Sequence, residues 1–336
     1  MAPIKPVTAT EVIEPVIACD PLLSDVQLPL RRIYYPLGFA VEVITNSDEV
    51  FSAADESWGG LRKTFSEPAI ELRIALGEGR SGVCPPPPVY RGQKHLLSIV
   101  ADAQNFAVCD REQGFAFAWI DRDAAEHTAY VRYHFLEATA LSLLASCHVT
   151  PLHAACVELD GQGVLLCGNS GAGKSSLAFA CARAGWKYIS DDASYLVRKG
   201  GGRLVVGNSH QVRFRPSAVE LFPELEGLSP TPRATGKPSI EVPTALIPEV
   251  TTARQSTVEY IIFLNRLESD RAELVPFPKE LAFKWASQSQ AGTAPNDEIQ
   301  AASVRELLNA QLFELRYRTL DGAVAQLEGL IRRGSI

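Results

Sequence analysis

The stretch LLCGNSGAGKSSLAFA, residues 165–180, decides how the rest of the chain is read. It spells Gly168-x-x-x-x-Gly173-Lys174-Ser175. The apolar run ahead of it reads as a strand, and the run after it reads as a helix stopped by Gly185. Glycines permit the positive φ and the close backbone approach of a loop that wraps a phosphate. A lysine at the head of the helix adds its ammonium to helix N–H groups that face the same anion. The serine hydroxyl can sit on a magnesium ion bridging the phosphates. With glycine at ~7% of residues, the four fixed positions should coincide by chance in roughly one chain in a hundred. The strand-then-helix context is the one the mechanism demands. The expected nucleotide-binding set is Gly168, Asn169, Ser170, Gly171, Ala172, Gly173, Lys174, Ser175 and Ser176, with ATP and magnesium as cofactors.

Asp191 and Asp192 follow the short apolar segment WKYIS, soon after that helix. If their strand runs parallel to the one before the loop, its C-terminal end lies beside the loop. Neighbouring side chains of a strand point to opposite sides, so the two carboxylates should differ in role. One of the two can hold the metal with Ser175 while the other works as a base on an acceptor hydroxyl. A solvated Asp-Asp turn is the bland alternative, outweighed once the pair is coupled to the loop. His153 precedes the loop by one hairpin and can reach the mouth of the same site; a structural histidine is the equal alternative. Arg213 and Arg215, in HQVRFRP, share a strand face and suit phosphate or carboxylate, or simple solvation. Arg233 and Lys237, in the Pro/Gly loop 229–243, are weaker candidates for closing over a substrate.

The chain has 336 residues, enough for about two domains. Its 46% hydrophobic and 21% charged residues are ordinary for a soluble protein with a sizeable core. A formal net charge of −7 argues against broad nucleic-acid or anionic-membrane binding, though not against a local basic site. Seven cysteines form no C-x-x-C pair, so reduced, buried thiols are expected and zinc has no support. The N-terminus lacks a signal pattern and no apolar run is long enough to span a bilayer, which gives a cytoplasmic expectation.

Residues 1–145 read as an α+β domain without a chemical motif, assigned to recognising the substrate or a partner. GFAVEVITN is an alternating strand, followed by a helix with Ser47 as N-cap; IELRIAL is a second strand, and three short strands of a meander follow. A largely buried helix is expected over 130–148. Residues 146–336 read as the catalytic domain. Its opening hairpin turns at Asp160-Gly161, a strong hairpin signal. VEYIIFLNR, 258–266, is a buried strand, and helices are expected at about 278–287, 300–312 and 320–333.

The segment LHAACVELDGQGVLLCGNSGAGKSSLAFACARAGWKYISDDASYLV resembles the catalytic domain of bacterial HPr kinase/phosphorylase and its relatives. The shared pattern is a histidine (His153), an apolar hairpin, the phosphate loop, a helix ending in glycine (Gly185), and the pair Asp191-Asp192. The resemblance implies an α/β P-loop fold shared with phosphoenolpyruvate carboxykinase. It also implies ATP-dependent transfer to a serine hydroxyl, with the histidine and the carboxylates flanking the transferred phosphate. It makes Asp192 the base and sets Asp191 nearer the metal or His153. The family's glycine-containing signature after the Asp pair is replaced here by GNSHQVRFRPSAVELF, and the first half does not resemble the family's regulatory domain. The expected function is an HPr-kinase-like ATP-dependent kinase acting on a protein, peptide or small hydroxyl substrate, with homo-oligomerisation left open. The alternatives are a nucleotide-binding regulatory or assembly protein, or an NTPase switch. The switch is disfavoured because YIIFLNR ends in Asn265-Arg266 rather than in acidic residues.

Overall fold

The chain threads first through a seven-stranded sheet and then through a larger one that carries the phosphate loop. The structure is a computed structural model and describes residues 26–79, 82–200, 202–231, 239–267, 271–289 and 297–334. Arg233, Lys237 and Cys19 lie outside these residues.

The first sheet uses β1 (Leu30–Tyr34), β2 (Val41–Thr45), β3 (Ile70–Leu76), β4 (Val89–Gln93), β5 (Leu96–Val100), β6 (Phe106–Asp110) and β7 (Phe115–Ile120). Their spatial order is β1-β2-β3-β7-β6-β5-β4. The parallel pair β2–β3 is joined by α1 (Asp48–Trp58), whose Val50, Phe51 and Trp58 pack on Val41, Val43 and Leu72. Ser47 stands at the N-cap as expected, but its hydroxyl bonds the Glu49 carboxylate at 2.5 Å instead of capping a helix N–H. After β7 come α2 (Arg122–Glu126), α3 (Thr128–Tyr130), a π-helical stretch Val131–Glu137, and α4 (Ala138–Cys147). The one helix expected over 130–148 is therefore interrupted by wider turns, a feature frequent at functional sites.

The second half continues with β8 (Val149–Leu152), β9 (Ala154–Leu159), β10 (Gln162–Cys167), α5 (Lys174–Arg183), β11 (Lys187–Ser190), β12 (Ser194–Val197) and β13 (Leu204–Gly207). Then follow β14 (Gln211–Phe214), β15 (Ile240–Pro243), β16 (Thr251–Thr252), β17 (Gln255–Arg266), β18 (Glu273–Pro276), α6 (Lys279–Ser289), α7 (Asp297–Leu307), β19 (Gln311–Tyr317) and α8 (Leu320–Arg333). The large sheet has the order β16-β11-β9-β10-β17-β13-β12-β8, with β19 beside β17 and β18 beyond it; β14 and β15 pair separately. The hairpin β9–β10 turns through Asp160 (φ 51°) and Gly161 (φ 79°). Two positive-φ residues are what a two-residue hairpin with native twist requires.

Side-chain alternation divides the sheet's two faces between two helix layers. Ala155, Val157, Val164, Leu166, Tyr260 and Ile262 pack with α5 and α8. Cys156, Leu165, Cys167, Ile261 and Phe263 pack with α6 and α7. Burial on both faces explains why VEYIIFLNR is nearly continuous in apolar residues rather than alternating.

The helix expected over 300–312 is corrected: α7 ends at Leu307, and QLFELRY forms β19, parallel to β17. Leu307, Leu308 and Leu312 suit helical spacing, but pairing with the central strand overrides local periodicity and buries Phe313, Leu315 and Tyr317. Among the described cysteines all are free thiols, four of them buried. Burial pushes the Cys109 thiol up to about 12, which keeps it protonated. Among the described residues no helix is long and apolar enough to cross a membrane.

The halves share a core and a charge cluster. Tyr195, Val197 and Val206 of the second sheet pack into the core under the first. Arg132, 6% exposed, pairs with Glu56, with Glu137 at 3.4 Å and with Glu241 at 2.6 Å. Arg213 approaches Glu241 at 3.1 Å and Glu137 at 3.6 Å, and the Tyr133 hydroxyl donates to Glu241 at 2.5 Å. The two carboxylates respond in opposite senses. Burial dominates at Glu137 and raises it; at Glu241 the Tyr133 hydrogen bond and the two arginines overcome burial and lower it. Removing one partner of such a cluster strands buried charge. Arg132→Met should cost about 3 kcal/mol, at the lower end of the range for a broken buried pair because Arg213 remains. Urea unfolding checks this, and a cost under about 1 kcal/mol would mean that the cluster is effectively solvated.

Candidate active site

The phosphate loop is built as its sequence demands. β10 ends at Cys167, the turn runs from Gly168 to Gly173, and α5 begins at Lys174. Gly173 has φ +93°, and a Cβ there would lie 2.8 Å from the Tyr317 hydroxyl. That hydroxyl donates to the Ala172 carbonyl at 3.2 Å, so the unforeseen strand β19 buttresses the loop from behind. Gly173→Ala should therefore lose about 1–2 kcal/mol of stability through left-handed strain alone. It should also weaken nucleotide binding by displacing the loop. A variant matching the parent in thermal unfolding would show that the loop relaxes freely.

Lys174 is 4% exposed. Its ammonium donates to the Gly168 carbonyl at 2.9 Å, the Asn169 carbonyl at 3.4 Å and His153 Nε2 at 3.1 Å. Burial pulls it below its usual range, and the Asp192 carboxylate opposes that shift. His153 sits at the bend between β8 and β9, and its Nδ1 lies 3.3 Å from Asp192 Oδ1. An ammonium donating to Nε2 places the ring proton on Nδ1, facing the carboxylate. Lys174, His153 and Asp192 thus form one connected line.

Asp191 and Asp192 follow β11, which runs antiparallel to β9, as β10 does. β11 is therefore parallel to β10 one strand away, and its C-terminal end brings the pair to the loop. The Ser175 hydroxyl donates to the Asp191 carbonyl at 3.2 Å. The Asp191 carboxylate accepts the backbone N–H of Arg213. The sequence reading set Asp191 nearer the metal or His153; the histidine is instead against Asp192, because Asp191 turns to the other side, toward β14. The two arginines separate as well. Arg213 joins the buried Glu137–Glu241 cluster, while Arg215 reaches the loop and donates to Ser170 Oγ at 2.5 Å. Tyr317, Tyr133, Glu137 and Glu241 escaped the sequence reading, since none carries a local motif.

The donor set fits the groups that the motif implies. The backbone at Gly168, Gly171 and Gly173 adopts φ of 154°, 91° and 93°, and a Cβ at Gly171 would meet nothing within 4 Å, which leaves that side open to a phosphate. Ser175 and the Asp pair offer oxygen ligands, the kind magnesium takes alongside water and phosphate oxygens. Among the described residues no group of three or more His, Cys, Asp or Glu side chains could hold a metal ion.

A strand, a glycine loop, a helix opening on Lys-Ser and a carboxylate pair at the end of a parallel strand one place away define an α/β P-loop protein. Comparison with known proteins narrows the class. The family described as SynChlorMet cassette protein ScmC matches residues 119–210, which include the loop, His153 and the Asp pair. HPr kinase/phosphorylase of Prosthecochloris aestuarii is 36% identical over 76 residues, 23% of this chain and 20% of that protein. That of an Exiguobacterium species is 32% identical over 80 residues, 24% of each. The chain thus spans about a fifth to a quarter of the length of these curated relatives. A solved Hpr(Ser) kinase/phosphatase from Coxiella burnetii aligns over 55% of this chain and 90% of its own, at 14% identity and a TM-score of 0.32. Through its phosphate-loop region the chain is similar to HPr kinase/phosphorylases, as a divergent HPr-kinase-like sequence.

Proposed function

We propose that the protein transfers the γ-phosphoryl group of Mg·ATP to a hydroxyl acceptor, as an HPr-kinase-like serine or hydroxyl kinase. The observation that carries this reading is the line Lys174–His153–Asp192, set beside Ser175 and Asp191 at the head of α5. ATP and magnesium, when bound, supply the transferable group and neutralise charge on its oxygens.

The chain's own residues position and deprotonate. Lys174 exchanges its bonds to the Gly168 and Asn169 carbonyls and to His153 for phosphate oxygens. Its withdrawal from His153 leaves the imidazole oriented by Asp192. Ser175 and Asp192 would hold the magnesium beside the phosphates. Asp191 lines a cavity between the two halves and receives the proton of the acceptor hydroxyl as that oxygen bonds to the γ-phosphorus, while the bond from this phosphorus to the bridging oxygen breaks and ADP leaves. This gives the base to Asp191, where the sequence reading gave it to Asp192. The reason is that Asp192 is engaged with His153 on the phosphate side. An acceptor in a protein or peptide, and assembly into oligomers, belong to this reading through the relatives' names and family.

The test is transfer of label from γ-labelled ATP to serine peptides, proteins and small hydroxyl compounds. Tight Mg·ATP binding with no labelled product from any acceptor would reduce the chain to a nucleotide-binding regulator.

A further inference from the structure

A cavity of about 420 Å³ lies between the first sheet's helices and the strands β11 to β14. Its apolar wall is formed by Trp58, Leu61, Leu97, Leu141 and Tyr195, which come from both halves of the chain. Its polar end carries Asp191, Glu137, Asn208, His210 and Arg213. Glu137 comes from the π-helical stretch, and Arg213 is the residue whose N–H holds Asp191.

Two atoms at that end stand apart. Asn208 Oδ1 and His210 Nδ1 are buried and have no hydrogen-bond partner in the protein. Buried polar groups are paired in the large majority of cases, because an unmade bond costs about 1–3 kcal/mol. Both residues line the cavity, and the two atoms lie under its surface, so a ligand that draws them out by a side-chain rotation would complete them. Burial pushes His210 down to about 4, so the imidazole is neutral at physiological pH. An amide oxygen takes a donor, and a neutral imidazole nitrogen takes or gives one bond; neither calls for an ionic ligand. The volume falls within the ~300–1,000 Å³ of small-molecule sites and is set in a cleft between two halves, a common place for them. A folded protein partner, by contrast, docks on an open surface.

We propose that this cavity is the acceptor site, and that it takes a compact molecule with an apolar body and a neutral, hydroxyl-bearing head. The head bonds Asn208 and His210 and lies against Asp191, while the body packs on Trp58 and Leu61. The word acceptor rests on the kinase reading above; occupation of the cavity does not.

The test uses the full chain with three probes: 2-phenylethanol, N-benzoyl-L-serinamide and glycerol, followed by saturation-transfer NMR. The two aryl alcohols should bind and glycerol, which lacks the apolar body, should give no signal. Ser142→Trp fills the cavity from α4 and should abolish binding of both aryl probes while leaving Mg·ATP affinity unchanged. Asn208→Leu provides a second reading in case the tryptophan perturbs folding. It should weaken the serinamide probe about three- to tenfold and at the same time raise the unfolding temperature of the free protein, since an unpaired buried acceptor is removed. Failure of the aryl probes to bind the parent, or their undiminished binding to Ser142→Trp, overturns the proposal. Label transfer to a folded protein that proceeds equally in parent and Ser142→Trp overturns it too. Absence of Mg·ATP binding sinks the kinase reading whatever the probes do.

Discussion

Lys174→Ala should lose Mg·ATP affinity by about 10²-fold or more, since a buried, charge-assisted contact to phosphate is removed. The free protein should unfold at or slightly above the parent temperature. The reason is electrostatic. In the free chain the ammonium is buried, held by two carbonyls and His153, and its charged form is disfavoured by desolvation. A bound phosphate reverses that balance, because an anion favours the ammonium. Affinity should accordingly fall as pH rises toward the depressed Lys174 value, a trend absent from the alanine variant. Calorimetric titration of both proteins across alkaline pH measures each effect. Parent-like affinity in the variant would remove the nucleotide site altogether.

The Asp pair carries the second large effect. Asp191→Asn keeps the shape and the hydrogen bond from the Arg213 N–H but cannot take a proton. General-base assistance is typically worth ~10²–10⁴-fold in rate. Transfer should drop by about that factor, with Mg·ATP affinity held within a few-fold. Asp192→Asn should act differently. It removes the carboxylate that orients His153 and that favours the Lys174 charge, so nucleotide affinity and rate should fall together. Single-turnover kinetics with bound ATP separate the two. Exchanged phenotypes would return the base to Asp192, as the family resemblance implied. Parent rates in both variants would make the pair a solvated turn and leave the phosphate loop without transfer chemistry.

Much of the site was legible because its parts are local. The phosphate loop needs glycine, lysine and serine at fixed offsets, since one turn of backbone and the first residues of one helix form the cradle. The hairpin at Asp160-Gly161 was equally plain, because its two positive-φ positions restrict the residues allowed. The parallel relation of β10 and β11 followed from a strand–helix–strand connection. The failures share a different cause. β19 looked helical by apolar spacing, and pairing with β17 decided otherwise. Neither Tyr317 behind Gly173 nor Glu241 beside Arg132 has a neighbour in sequence that announces it.

The chain's own order of residues therefore determined that a glycine loop joins strand to helix, that Lys174 and Ser175 open that helix, and that two carboxylates stand close by. Those are short-range facts, set by φ preferences, helix termini and strand alternation over a few dozen residues. Which carboxylate meets His153 and which meets the cavity was decided by the tertiary structure. So were the support of the loop by Tyr317 and the joining of both halves through Arg132, Arg213, Glu137 and Glu241. These contacts link residues far apart in sequence, and their geometry depends on how the two sheets pack. No local pattern can encode it.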